Sequence, residues 1–466
     1  MRQSLGKALA PVAALLFSVG LLLMGSGLQG TLLPVRAQLE AFTDLDLGML
    51  GSAYFLGFGA GCLFGARLVR RSGHIRTFAA MVALASTTAL AHAMLPSPPV
   101  WWVLRGVTGF CFAVLYMVIE SWLNERASNE NRGLIFSAYT IVNLTVITLG
   151  QIMLTAAPVG SFTLFAWASI LVSLAAIPIA FTRAEAPAPI GAVKIRVRRL
   201  YLLSPVGFVG CFAVGMANSA FWSLGPLFVD RGQGVNAADV ALFMSVTVIG
   251  GAVGQYPLGR LSDRMDRRRV IVLSCSGAAL AGGALVATGE LLPWAMLGAA
   301  FLFGFFAFPL YSLSVAHTND FIEPEGYVEA SGGLLLVFGL GAVVGPLIAS
   351  AVARTFGIET IFAYTAVVHL LTAFFTLYRM TRRARPPEEE RGAFVDALVV
   401  ASTVSTVDPL NGEIAGTINA IVIASLAMTK LLGASLSRLP ARVLPNRARA
   451  GRGAKSCPKG CVAMRR

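Results

Sequence analysis

The sequence predicts an all-α membrane protein whose twelve transmembrane helices form two pseudo-symmetric six-helix bundles. Of its 466 residues, 56% are hydrophobic and only 13% are charged, and the mean hydropathy is +0.73. Soluble domains are about 45–50% apolar and about 25% charged, so this composition excludes a soluble globular protein. Apolar runs long enough to cross a bilayer occur twelve times, and landmarks in the first half recur 192 to 195 residues later.

The predicted spans are separated by short polar connections, and each approaches the roughly 20 apolar residues that a bilayer requires. The first run follows Arg2 and Lys7, as a secretory signal would. It is longer than the apolar part of a signal, about 7–15 residues, so we predict that it is retained as a span. The predicted spans are residues 8–33, 47–65, 77–95, 100–123, 134–157, 161–182, 201–228, 238–258, 270–289, 292–316, 328–352 and 358–378.

Lysine and arginine are distributed unequally between the two sets of connections. The N-terminus and the connections after even-numbered spans hold eighteen, whereas the other connections hold only Arg36, Arg231 and Arg354. The positive-inside rule therefore predicts a multi-pass protein of the bacterial inner membrane, in contact with membrane lipids and with both termini cytoplasmic. Much of the net charge of +14 lies in residues 379–466, so nucleic-acid binding is not predicted.

The chain divides into two halves and a tail. We predict an N-terminal bundle over 1–182, a cytoplasmic linker over 183–200 that is first Pro/Ala-rich and then basic, and a C-terminal bundle over 201–378. Residues 379–466 are predicted to be a basic cytoplasmic tail that is mostly disordered. Its apolar segment at 414–429 is expected to lie on the membrane, with a thirteenth span as the alternative.

Matching residues relate the two halves. Two charged stretches, 66–76 and 259–269, align with an offset of 193 residues, and each is predicted to be a short aqueous loop because hydrocarbon does not accommodate such charge. The other corresponding pairs are Ser26 and Asn218, Pro34 and Pro226, Gly109 and Gly304, Tyr116 and Tyr311, and Gly150 and Gly345.

These motifs resemble the major facilitator superfamily over about residues 8–378. Gly259–Arg268 is similar to its loop signature Gly-x-Leu-x-Asp-Arg-x-Gly-Arg-Arg, with Asp266 in place of the later glycine. Arg105–Gly109 is similar to the Arg-x-x-x-Gly motif of its fourth helix, and Tyr116–Arg126 resembles the poorly characterised YcaD-like branch. The resemblance implies a transporter whose first, fourth, seventh and tenth helices line a central cavity.

A cytoplasmic gate is predicted at the charged stretches. The resemblance implies that Asp263, within the signature that includes Gly259 and Arg264, meets the start of the helix near Gly133 in the other half. The corresponding position in the first half is Arg70, which suggests a charge-inverted latch between that basic stretch and the acidic connection after span ten. The alternative is ordinary solvated charge, since exposed pairs contribute only about 0–1 kcal/mol. The latch residues are Arg67, Arg70, Arg71, Arg76, Asp320, Glu323, Glu325 and Glu329.

Two ionisable residues of the fourth span are candidates for proton coupling, because charge inside a membrane helix is costly. The resemblance implicates Arg105 in proton transfer or anion attraction. Glu120 lies fifteen residues further on, about 22 Å along a helix, so it is not a direct partner. The alternatives are that Arg105 snorkels to the membrane surface and that Glu120 pairs with Arg126 at the interface.

Polar and aromatic residues on the first, fourth, seventh and tenth spans are candidates for the cavity wall. Tyr116 and Tyr311 occupy equivalent repeat positions and are predicted on opposing walls. Hydrogen bonding between helices is the alternative role for the polar members. The candidates are Ser26, Gln29, Tyr116, Asn218, Trp222 and Tyr311.

The sequence therefore predicts a monomeric secondary transporter of a small amphipathic solute, working by alternating access and coupled to protons. One alternative is an uncoupled facilitator, since no acidic residue lies near the middle of a span. Another is a non-transporting membrane sensor or assembly protein that uses the basic tail. Phosphate-loop, zinc-ligand and nucleophile–base patterns are not found, so no enzyme activity, cofactor or metal site is predicted.

Overall fold

The computed structural model describes residues 12–126, 132–181, 196–230, 236–288, 293–322, 326–383 and 394. Within these ranges the secondary structure is helical throughout, with no strand. Twelve helices of the described residues are long and apolar enough to cross a membrane. The all-α fold of twelve spans in two six-helix bundles, predicted from the sequence, is thus confirmed.

The spanning helices are numbered α1 to α12 in chain order. A short helix, Val197–Leu203, precedes α7, so the seventh span begins at Pro205 rather than at residue 201. Two spans are interrupted: α6 at Ala175 and α10 at Phe308 and Pro309. The bounds are α1 Ala13–Leu39, α2 Asp44–Ser72, α3 His74–Met94, α4 Pro98–Arg126, α5 Arg132–Ile152, α6 Thr163–Leu174 with Ala176–Ala180, α7 Pro205–Asp230, α8 Ala237–Arg264, α9 Arg267–Thr288, α10 Pro293–Ala307 with Leu310–Asn319, α11 Tyr327–Phe356 and α12 Thr360–Arg382.

The charged stretches are mostly helical, which corrects the prediction of aqueous loops. Only Gly73, with a positive φ of 78°, separates α2 from α3, and only Met265 and Asp266 separate α8 from α9. Arginine has good helix propensity, and a cation in the last turn interacts favourably with the helix dipole. The end of an apolar run is therefore not the end of the helix. The end of the molecule where α2 meets α3 and α8 meets α9 is called the basic end.

Glycines allow close helix crossings at equivalent places in the two bundles. A Cβ atom on Gly109 of α4 would overlap the carbonyl oxygen of Tyr54 on α2, and one on Gly304 of α10 would overlap that of Thr247 on α8. The pair Gly150 and Gly345 makes the same kind of approach, to α1 and to α7. The repeated glycines of the sequence are thus the contact points of the repeated bundle.

Three apolar clusters form the core. One contains only residues of the first bundle and another only residues of the second, from Leu200 onward. The third joins both bundles and includes Leu47, Trp101 and Phe228. These residues lie near Asp44, Pro98 and Asp230, helix ends on the side opposite the basic end. The bundles therefore share a core at this opposite end and have separate cores at the basic end.

The seam at the opposite end is formed largely by α2 and α11. Gly48 packs against Ser350, and Gly51 packs against Ser223 and Pro346, with no room for a Cβ atom at either glycine. Ser52 donates a hydrogen bond from Oγ to the Val343 carbonyl at 2.7 Å. This seam closes one end of the space between the bundles.

Candidate functional site

A cavity of about 320 Å³ lies between the two bundles. Its walls come from α1, α2, α4 and α5 of the first bundle and from α7 and α11 of the second. The lining is mainly aromatic and aliphatic, with a few polar groups, as in most small-molecule sites. The aromatic and polar lining residues are Ser26, Thr31, Tyr54, Phe55, Phe58, Arg105, Tyr116, Trp222, Ser223 and Phe338.

Arg105 lies on the cavity wall in the first part of α4. Its guanidinium carbon is 4.4 Å from the ring centroid of Tyr54, which is a cation–π geometry. The crossing of α2 over α4 at Gly109 brings Tyr54 to this position. The Arg105 Nε atom is buried and has no hydrogen-bond partner among the described residues. Arg105 therefore faces the space between the bundles, in contrast to the snorkelling alternative.

Half of the predicted cavity residues line the cavity. Ser26, Tyr116 and Trp222 do so, and Trp222 is stacked on Phe308 with ring centroids 5.9 Å apart.

The other three predicted residues are not part of the lining. Gln29 is buried, and its Nε2 lacks a hydrogen-bond partner among the described residues, as do the Asn218 Oδ1 and the Tyr311 hydroxyl. Tyr311 packs against Phe338, with ring centroids 5.2 Å apart. Tyr116 lines the cavity and Tyr311 does not, so the two tyrosines are not opposing walls of this cavity.

Helices α2 and α11 line much of the cavity, although neither is among the four spans predicted to do so. Tyr54 and Phe58 are four residues apart, so they share one helix face, and Phe55 is beside them. This aromatic spacing in a glycine-rich helix was an available signal. It lies outside the first, fourth, seventh and tenth spans, which the family resemblance implies as the cavity lining.

Glu120 is buried between α4 and α5 and is not part of the cavity lining. Only 3% of its surface is exposed, and the Tyr139 hydroxyl donates a hydrogen bond to its Oε1 at 3.4 Å. Asn124 donates to the Glu120 backbone carbonyl at 2.9 Å. The carboxylate is thus held within the first bundle, about 22 Å along α4 from Arg105.

A buried ion pair at the basic end involves Asp320, one of the predicted latch residues. The Arg267 side chain, 2% exposed, donates from Nε to Asp320 Oδ2 at 2.9 Å and lies 3.3 Å from Asp263. Because α10 extends to Asn319, Asp320 lies beside the start of α9. A buried guanidinium without a counter-charge is strongly destabilising, and Asp320 supplies this counter-charge to Arg267 within the second bundle. Asp320 is thus paired with an arginine of the second bundle in this conformation, and its predicted contact with the basic stretch of the first bundle stays a prediction.

The remaining latch residues are placed as follows. Glu329 pairs with Arg196 of the linker at 3.2 Å, and Glu323 and Glu325 lie outside the described residues. Arg67 lies over Phe64 near the end of α2, with its guanidinium carbon 6.0 Å from the ring centroid. The other basic members, Arg70, Arg71 and Arg76, are exposed.

The turn between α8 and α9 is held by a second ion pair. Arg268 donates from Nε and Nη2 to the Asp266 carboxylate, the shorter distance being 2.8 Å, and from Nη1 to the Arg383 carbonyl at 2.7 Å. Burial alone would raise the pKa of Asp266, but the hydrogen bonds and the charge of Arg268 outweigh it and hold the pKa below its usual 3.8. The carboxylate therefore stays charged at neutral pH.

Asp263 has an unexpected partner from the chain beyond α12. The Phe394 backbone N–H donates to Asp263 Oδ1 at 2.8 Å, and the Phe394 ring covers Gly259, where a Cβ atom would overlap it. Phe394 is 4% exposed. The predicted contact of Asp263 with the start of α5 stays a prediction, and Arg264 is exposed at the end of α8.

Two related bundles of six membrane-spanning helices enclose a mainly apolar cavity with a few polar groups. This arrangement is typical of membrane transporters. The family profile described as Major Facilitator Superfamily matches residues 15–291 and 207–443. The chain belongs to the major facilitator superfamily.

Relatives and solved structures agree with this assignment. An uncharacterized MFS-type transporter of Enterobacter sp. (strain 638) is 28% identical over 382 residues, covering 80% of this chain and 96% of the relative. The uncharacterized MFS-type transporter YcaD of Escherichia fergusonii is 26% identical over 383 residues, with the same coverage. The crystal structure of the nucleoside transporter NupG is similar in fold, with a TM-score of 0.69, 14% identity and coverage of 80% of this chain and 100% of that one. The resemblance to the superfamily and to its YcaD-like branch is confirmed.

Proposed function

We propose that this protein is a secondary transporter that moves a small amphipathic solute across the bacterial inner membrane by alternating access, coupled to protons. The observation that carries the proposal is the cavity between the bundles, closed by the seam of α2 and α11 and holding Arg105 on its wall. A midplane site between two repeats is where rocking of one half against the other gives alternating access. Membership of a transporter superfamily supports the proposal.

The conformation supports a cavity that faces the cytoplasm. The positive-inside rule assigns the basic end to the cytoplasm, and the shared apolar core lies at the opposite end. At the basic end each bundle has its own core. Transport then requires the seam to open and the basic end to close.

Proton coupling is proposed to involve Arg105 and Glu120. Both are ionisable side chains within α4, where uncompensated charge is costly and is usually retained for function. Glu120 lies against Tyr139 of α5, and Arg105 lies in the cavity, so their coupling would act through movement of α4 rather than by direct contact.

The test is solute flux in proteoliposomes, with and without a pH gradient, over a panel of metabolites and drugs. We expect flux to follow the gradient and to be lost in Arg105→Ala. Arg126→Ala is the matched control, because it removes an exposed arginine from the end of the same helix. Flux that does not depend on the pH gradient would indicate an uncoupled facilitator. Absence of flux for every solute would favour a sensor or assembly role.

A further inference from the structure

We infer that the cavity binds an organic anion with a small aromatic or otherwise apolar body, whose carboxylate, or an anionic group of similar size, contacts Arg105. This inference rests on the proposed transport function and adds the chemical class of the solute. Three observations support it: the positive charge of the cavity lining, the aromatic character of the wall, and the position of Arg105 near the closed end.

The charge of the described lining is entirely positive. Arg105 is its only ionisable residue besides the tyrosines, and the Arg105 Nε atom lacks a hydrogen-bond partner. The Tyr54 ring covers one face of the guanidinium, but its N–H groups point outward in the guanidinium plane. An arginine edge is the protein group best suited to a planar carboxylate, which it can bind through two parallel hydrogen bonds.

Two carboxylates of the described first bundle, Glu120 and Asp46, are engaged elsewhere. Glu120 accepts from Tyr139, about 22 Å along α4 from Arg105. Asp46 accepts from the backbone N–H and the hydroxyl of Thr43, where it completes a capping box at the start of α2. A desolvated arginine without a counter-charge is unfavourable, so an anionic solute would supply what the protein does not.

The rest of the wall fits an apolar body. Phe55, Phe58, Tyr116, Trp222 and Phe338 surround the space, so a flat ring could stack on several of them. The volume of about 320 Å³ is at the small end for ligand sites, which limits the solute to about one or two rings.

The position of Arg105 along α4 predicts how the solute is oriented in the cavity. Arg105 and Tyr116 are eleven residues apart on α4, so they lie about 16 Å apart along the helix axis, with Arg105 nearer the closed seam. The anionic group would therefore reach the deep end and the apolar body would point toward the basic end. The arginines at that end would also raise the local concentration of anions.

The experiment compares carboxylates with neutral amides of the same shape on the purified full-length protein. Binding of benzoate, benzamide, 2-naphthoate and 2-naphthamide is measured by thermal stabilisation and by quenching of tryptophan fluorescence. We expect a carboxylate to bind about tenfold or more tightly than its amide, because a charge-assisted pair replaces a neutral hydrogen bond. Arg105→Gln should remove this preference, Arg105→Lys should keep part of it, and Arg126→Gln should leave it unchanged.

The inference is wrong if the amides bind as tightly as the carboxylates, if Arg105→Gln keeps the preference, or if neither carboxylate binds at millimolar concentration. Flux in proteoliposomes separates this failure from failure of the proposed function. Carboxylates that bind without being transported would leave the anion site standing and contradict transport. Transport of neutral or cationic solutes without a carboxylate preference would leave transport standing and contradict the anion site.

Discussion

At the scale of single residues, the buried charges of the two bundles differ in how they are satisfied. In the second bundle Arg267 is surrounded by acceptors from Asp320, Asp263 and Ser262. In the first bundle Arg105 has an aromatic ring beside it and an Nε without a partner. A satisfied ion pair stabilises a fold, whereas an incompletely satisfied cation in a cavity is available to a solute.

Asp320→Ala is expected to destabilise the protein by about 3 kcal/mol or more, because it leaves the buried Arg267 without its main counter-charge. The measurement is thermal or denaturant unfolding in detergent. Arg260→Ala is the control, since Arg260 is an exposed arginine of α8 bonded to the Tyr256 hydroxyl. Equal stability of the two variants would mean that the pair has no structural role.

Phe394→Ala is expected to cost about 3 kcal/mol, because it removes a buried ring from the core of the second bundle and uncovers Gly259. Phe374→Ala is a suitable control, since that ring on α12 is 65% exposed. The same unfolding measurement applies. If Phe394→Ala is no more destabilising than the control, the contact of the chain beyond α12 with α8 does not persist in solution.

At the scale of elements, glycine spacing determines where helices cross and hence where site residues lie. Gly109 lets α4 touch the backbone of α2 at Tyr54, and this contact sets the ring under Arg105. The equivalent contact of Gly304 shapes the second bundle.

Gly109→Ala should lower stability by about 1–3 kcal/mol, because the added methyl meets backbone atoms of α2 that cannot move aside without shifting the helix. Gly59→Ala on α2 is a matched control. A Cβ atom there meets nothing within 4 Å, so the change should stabilise the helix by up to about 1 kcal/mol. The free energy of unfolding is measured for both variants. Equal changes of the same sign in the two would contradict the prediction.

The membrane-spanning helices could be predicted from the sequence more accurately than the residues at which they end or the helices that pack beside them. Long apolar runs and the repeat offset follow from bilayer thickness and gene duplication, so twelve spans in two bundles could be inferred. The extension of α8 to Arg264 could not, because hydropathy marks where the bilayer ends and not where helical hydrogen bonding ends. The extension of α10 to Asn319, which places Asp320 beside Arg267 at the start of α9, could not be inferred for the same reason.

The same distinction applies to the cavity. Ser26, Tyr116 and Trp222 could be predicted because their residue types and helices are informative, and Arg105, predicted as a coupling residue, also lies on the wall. Phe338 could not be predicted, since an aromatic residue in an apolar run carries no sign of which neighbour it faces. Only the packing of α11 against α2 and α7 shows this.

At the scale of the whole molecule, the closed seam and the separate cores at the basic end are what the proposed carrier would show in its cytoplasm-facing state. Alternating access requires that the seam of α2 and α11 opens in each cycle. Ser52 of α2 donates a hydrogen bond to the Val343 carbonyl of α11 across this seam, so cysteines at these two neighbouring positions can be joined by a disulfide or a short reducible cross-linker.

The most direct test is therefore the flux of Ser52→Cys/Val343→Cys protein in proteoliposomes before and after reduction, in a background without other cysteines. We predict that the oxidised protein still binds its solute but does not transport it, that reduction restores flux, and that each single variant transports in both conditions. Undiminished flux through fully cross-linked protein would contradict transport by opening of this seam.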